Sequence, residues 1–188
     1  LIYEVDMASA QPSLLILEWI RSLNTITNEA KKCLKLVANG GVYKYLVDHS
    51  DVLRDMDYAK MKKEILKTFN GQYKPTKLYK ELKALLPELI KWIDNIKINE
   101  GYKKVSHRGH SAEANVFVEV YKNLPEHMFA LLIHDCILTT EDKTQLVRDK
   151  LIERVRELYK DVIPKELNID KLFKTDKVSV VRWVDYRN

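Results

Sequence analysis

The chain has 188 residues, 46% hydrophobic and 31% charged, with a formal net charge of +5. That length fits one domain with its own core, and five Gly and five Pro are too few for a turn-rich β-sandwich. Cys33 and Cys136 form no spaced pair, which excludes a disulfide scaffold or zinc site and fits a reducing compartment. No stretch approaches the ~20 apolar residues of a membrane helix. The basic balance, pI near 9.0, is compatible with a phosphate-bearing partner without requiring one.

Leu1 to Met7 alternates and reads as a strand ending near Asp6. Ala8 to Ser13 reads as a small-residue turn, and Ser13 to Arg21 as a mostly buried helix. Asn28 to Ala38 is expected to be helical, stopped by Asn39-Gly40-Gly41. Val42 to Val47 reads as a short helix or turn, and Tyr58 to Phe69 as a basic helix ending at Asn70-Gly71. Leu78 to Ile96 is helical, with Pro87 either kinking it or starting a second helix. Lys97 to His110 is polar and basic, and Ala112 to Leu124 is a helix stopped by Pro125. Met128 to Thr140 reads as strand, turn, strand, interrupted at His134-Asp135. Thr140 is expected to cap a long amphipathic helix carrying Leu151, Val155, Leu158 and Val162, and Val178 to Val184 to form a last strand. The order β, helices, ββ, α, β implies an α+β fold, a small antiparallel sheet packed by helices.

Two aspartates carry the chemistry. Asp6 ends an apolar strand and Asp135 breaks an apolar run, and a carboxylate in such a setting is costly to bury unless paired or bound to metal. On adjacent strand ends the pair could hold two Mg²⁺ ions, which take one or two carboxylates plus substrate phosphates. The alternative is that each is an ordinary strand-end or turn residue. Lys62, Lys63 and Lys67 could reach triphosphate oxygens or form a solvated helix face. Lys103, Lys104, His107, Arg108 and His110 could track a nucleic-acid backbone or form a solvated loop. Trp19, Trp92 and Trp183 read as core or interface residues, and Cys136 as a buried small residue without the base a nucleophile needs.

Glu4-Val5-Asp6-Met7-Ala8-Ser9-Ala10-Gln11-Pro12-Ser13 resembles motif A of family A DNA polymerases, and Leu132-Ile133-His134-Asp135-Cys136-Ile137 resembles motif C. Between them, Lys62-Lys63-Glu64-Ile65-Leu66-Lys67-Thr68-Phe69-Asn70-Gly71 looks like motif B, the fingers helix. The three stand in family order. Gly41-Val42-Tyr43-Lys44-Tyr45-Leu46 also resembles a segment of phage and mobile-element members. The resemblance runs from about residue 1 to residue 160.

The resemblance implies a polymerase palm over 1–188, with a reduced fingers insertion at about 40–100. It implies the C-terminal part of a longer polymerase, in a bacterial or phage-infected cytoplasm. Its implied reaction is template-directed nucleotidyl transfer from dNTPs onto primer–template nucleic acid, with no membrane partner. Asp6, Asp135 and the backbone carbonyl of Met7 would hold two Mg²⁺ ions, for which Mn²⁺ could substitute. Gln11, Lys62, Lys63 and either Phe69 or Asn70 would bind the nucleotide. His134, Lys103, Lys104, Arg108 and Glu113 would contact nucleic acid. Two positions depart from the family. Gln11 stands where the family has a Glu that helps exclude ribonucleotides, and Cys136 stands where it has a second carboxylate. Single-subunit phage-type RNA polymerases, to which the chain is also similar, likewise lack that carboxylate. These departures leave an alternative, a non-catalytic nucleic-acid-binding or assembly module on a degenerate palm.

Overall fold

A computed structural model describes residues 1–178. It is an α+β fold: one four-stranded antiparallel sheet, ordered β2-β3-β1-β4, with helices packed on it. Strand β1 (Ile2–Met7) is central, flanked by β3 (Cys136–Thr140) and β4 (Phe173–Lys177), and β2 (Ala130–Ile133) forms the edge beyond β3. Val5 and Met7 point one way from β1 into the core, at 0% and 2% exposure, so Glu4 and Asp6 share the opposite face.

The first helix, α1 (Ala10–Arg21), starts three residues earlier than the sequence predicts. Ser9 makes this abrupt entry with a left-handed φ of 53°, unusual outside glycine. Ser13, expected to begin the helix, is instead buried within it, and its hydroxyl donates to the Ala8 carbonyl. The all-round apolar surface of α1 is explained by its place in the core, where Leu14, Leu15, Ile16, Leu17 and Trp19 are almost wholly buried.

Helix α2 (Asn28–Ala38) is capped by the Thr27 hydroxyl and ends at Gly40, whose φ is +63°. A Cβ there would sit 2.6 Å from the Lys171 carbonyl oxygen and 2.9 Å from Ala8 Cβ, so a glycine is required by space as well as by angle. Helices α3 (Val42–Asp48) and α4 (Tyr58–Asn70) follow, the latter capped by Asp57. The expected helix over 78–96 is two, α5 (Lys77–Leu85) and α6 (Pro87–Asn99), with Pro87 opening the second.

The polar stretch 97–110 is not a loop. It closes α6 and then forms the first turns of α7 (Lys103–Lys122), a helix of 20 residues. Its charged residues hid a buried stripe of Val105, Gly109, Ala112, Val116 and Val120. Gly109 faces α1, where an added Cβ would make ordinary contact with Leu15 at 3.8 Å. Thr140 does not cap the last long helix. Its hydroxyl donates to Asp142 in an intervening 3₁₀ turn, and α8 spans Thr144–Leu158. The strand expected at Val178 to Val184 lies outside the described residues apart from Val178, as does Trp183; the fourth strand comes earlier, at Phe173–Lys177. No helix among the described residues is long and apolar enough to cross a membrane.

Candidate active site

The antiparallel register sets Asp6 directly opposite Cys136, the residue after Asp135. Strands separated by most of the chain thereby bring the two aspartates to one end of the sheet. Asp135 sits in the two-residue turn between β2 and β3, where His134 adopts a φ of 50°. Left-handed residues therefore lie just beyond both aspartates' strands, Ser9 beside one and His134 beside the other. Backbone strain of this kind concentrates at functional sites.

The carboxyl of Asp6 is held up at about 6, first by burial, then by the negative charges of Glu4 and Asp135, with Lys174 opposing. Lys174 pairs with Asp6 across β1 and β4. Asp6 Oδ1 is buried and accepts no hydrogen bond. A buried carboxylate oxygen with no donor is costly, and a hard cation is one of the few groups that relieves it. The Cys136 thiol is pushed up to about 12 by burial and by Glu4, Asp135 and Asp6, so it remains protonated and is not a nucleophile.

Helices bring further polar groups to Asp135. Burial raises the Glu113 carboxyl on α7, as does Asp135, while His110, His134 and Lys62 act to lower it. Lys62 on α4 is thus within electrostatic reach of the acidic cluster; Lys63 is exposed on the same helix. Tyr43, on α3, was not among the residues singled out for a role. Its hydroxyl is buried, lacks a partner and is raised by burial, by Tyr58 and by Asp135. Its ring meets Tyr58 edge-on at 6.2 Å. The signal was present in the Val42-Tyr43-Lys44 segment, but a tyrosine on a short helix does not announce which way its hydroxyl points.

At the end of α4, Asn70 Nδ2 donates to Gln11 Oε1 at 3.2 Å, and Gln11 Nε2 lies 3.1 Å from His110 Nε2. Phe69 is fully buried in the core, whereas Asn70 joins Gln11. Arg108 lies on the same helix as His110. It pairs with Glu100 at 2.8 Å, lies over the Trp92 ring, and with Lys104 lines a cavity bordered by Glu18 and Arg21 of α1. Lys103 and Lys104 are exposed in the first turn of α7.

The set fits Mg²⁺ in donor chemistry: two carboxylates, one of them with an orphaned buried oxygen, with the remaining ligands left to phosphates and water. Among the described residues no group of three or more His, Cys, Asp and Glu is placed to hold a metal, so a protein-only cage such as a zinc site does not fit. No protein-family model, curated protein sequence or solved structure matches the chain.

Proposed function

We propose that the chain is the catalytic palm of a nucleic-acid polymerase, similar to family A, that performs template-directed nucleotidyl transfer. The observation that carries this reading is the convergence of Asp6 and Asp135 on adjacent strand ends, with Asp6 Oδ1 buried and unpartnered. Mg²⁺ bound there would neutralise charge on the transferring phosphoryl group and lower the pKa of an attacking hydroxyl. The chain's own residues hold and orient. Asp6 and Asp135 provide the anchoring oxygens, aided by the Met7 carbonyl. Lys62, near the same cluster, supplies positive charge for a triphosphate. The hydroxyl of Tyr43, buried without a partner and within electrostatic reach of Asp135, is a further donor that could be drawn into the site on substrate binding. His134 in the hairpin turn and Glu113 on α7 border the position a primer end would take.

The test is primer extension by the protein with Mg²⁺ or Mn²⁺, alongside Asp6→Asn and Asp135→Asn. Extension lost by at least about 10²-fold in both variants is expected, since removing a charge-stabilising group costs that much. Wild-type extension that survives either substitution would reject the two-aspartate mechanism.

A second reading, a binding module on a degenerate palm, is favoured by Cys136, which adds no third carboxylate, and by Gln11, whose amide is already engaged by Asn70 and His110. Mn²⁺ titration separates the two. A catalytic site broadens the metal's electron paramagnetic resonance in wild type and not in Asp6→Asn, whereas a degenerate one leaves both alike.

A further inference from the structure

Helix α4 carries a second polar face. Lys67 follows Lys62, the residue acting on Glu113, by five positions, which sets it roughly 140° further around the helix. There Lys67 and Thr68, the loop after α4, the start of α5 and Lys97 of α6 enclose a cavity of about 490 Å³. That size is ordinary for a small-molecule site. Lys67, Lys74, Lys77 and Lys97 line it against a single carboxylate, Glu64. Asp6, Asp135, Glu113 and Lys62 take no part in it.

The four ammonium groups are unequally engaged. Lys67 pairs with Glu64 at 3.6 Å and Lys77 with Glu81 at 3.9 Å. Among the described residues Lys74 and Lys97 have no ion pair. Lys97 is half-buried, and its Nζ donates to the Thr68 carbonyl at 2.7 Å, with two further N–H groups to give. Burial lowers its pKa, and the charge of Asp94 opposes that. Asp94 itself accepts from the Tyr79 hydroxyl at 2.6 Å. A half-buried ammonium without a paired carboxylate is unfavourable until an anion reaches it. Val52, Leu78 and Tyr79 add apolar lining, and the Tyr79 ring is held by its hydrogen bond and by an edge-on contact with Tyr73 at 5.1 Å.

We propose that this cavity binds a chain of two or three phosphates, at a site separate from the aspartate pair. Four lysines against one carboxylate leave an excess of positive charge that suits such a chain better than a single phosphate. Its oxygens would accept charge-assisted hydrogen bonds from Lys97 and Lys74. Inorganic polyphosphate and the tail of a nucleotide share this chemistry; a nucleotide would add contact between its base and the apolar lining. The inference does not depend on the nucleotidyl-transfer reading.

Calorimetric titration of the whole protein with tripolyphosphate tests it. The buffer contains EDTA, so that no metal bridges phosphate to Asp6 and Asp135. Wild type is expected to bind saturably, one to one. Lys97→Met is expected to weaken binding about tenfold, and Lys74→Ala at least about threefold. Lys74 is exposed and has no ion pair to lose, so its variant separates binding from folding. Lys62→Met is expected to bind as wild type does. In ¹H–¹⁵N spectra the backbone amides of Thr68, Gly71 and Gln72 are expected to shift first during the titration. A parallel titration with ATP separates the two sources: tighter binding than tripolyphosphate assigns the site to a nucleotide, and equal or weaker binding to inorganic polyphosphate. The proposal is overturned by absence of saturable binding, by unchanged affinity in Lys97→Met or Lys74→Ala, or by a loss in Lys62→Met as large as in Lys97→Met. Amide shifts confined to residues outside the cavity overturn it as well.

Discussion

Asp6 illustrates how a site residue can oppose the stability of the fold that holds it. Its ordinary carboxyl value, 3.8, rises to about 6 in the folded chain, so the native state binds the proton more tightly than the unfolded one. The stability from that tighter binding is complete below about pH 4 and is lost as pH rises through 6. Asn cannot ionise and avoids that loss. Asp6→Asn is therefore expected to raise stability in metal-free buffer at pH 8 by about 1–2 kcal/mol, roughly half the full value of the shift because the carboxylate is partly solvated. The gain should vanish near pH 4, and urea titrations at both pH values measure it. An equal effect at the two pH values would show that packing, not charge, governs the position. Tyr43 gives a parallel case without charge. Its buried hydroxyl has no partner, so Tyr43→Phe is expected to leave Tm unchanged or higher while weakening nucleotide addition by about tenfold. A drop in Tm would mean that the hydroxyl has a structural role.

At the scale of elements, one interaction joins two helices end to side. Helix α6 begins at Pro87 behind Leu86, which has no side chain able to cap it. The missing acceptor comes from α2: the Glu29 carboxylate takes hydrogen bonds from the backbone N–H groups of Glu88 and Leu89 at 3.0–3.2 Å. A negative charge at a helix N-terminus is also favoured by the helix dipole. Glu29→Ala is expected to destabilise the protein by about 1–2 kcal/mol, and Glu29→Gln by less, since the amide oxygen can still accept. Chemical denaturation of the two variants distinguishes them, and equal losses would count against a capping role.

This contact also shows what the sequence could and could not reveal. Pro87 marked a boundary because its ring fixes φ and removes an N–H, properties carried by one residue. Glu29 was not legible, because a cap donated from another helix depends on tertiary packing. The first half of α7 was missed for a related reason: Lys103, Lys104, His107, Arg108 and His110 masked a narrow stripe of small apolar residues. The strand-end settings of Asp6 and Asp135 were visible as interruptions of apolar runs, and the β2–β3 register follows from a two-residue turn at His134-Asp135, but the β1–β3 pairing that brings the two together joins distant segments that no local signal connects. The links from Gln11 to Asn70 and His110 were beyond reach, since they join three helices through side-chain direction alone.

Across the whole molecule, the proposed metal-anchoring carboxylates and the exposed lysines are carried by different elements, so binding and chemistry should separate. Asp135 sits in a hairpin turn of the sheet, while Lys103 and Lys104 are exposed on the first turn of α7. Metal-anchoring carboxylates act mainly on the transition state, whereas lysines near phosphates act through release of counterions on binding. Asp135→Asn is accordingly expected to abolish nucleotide addition while changing primer–template affinity by less than about threefold, a difference under 1 kcal/mol. Joint replacement of Lys103 and Lys104 by Ala is expected to weaken binding. It should also reduce the slope of log K against log salt by about 1.5–2, the value for two phosphate contacts. Chemistry should survive at saturating template. Arg108 is left out of that pair because it is already engaged by Glu100 and lies over the Trp92 ring. Arg108→Ala should lower Tm with little change in the salt slope. Should Asp135→Asn flatten the salt dependence while the lysine pair removes chemistry, the roles given to the sheet and to α7 would have to be exchanged.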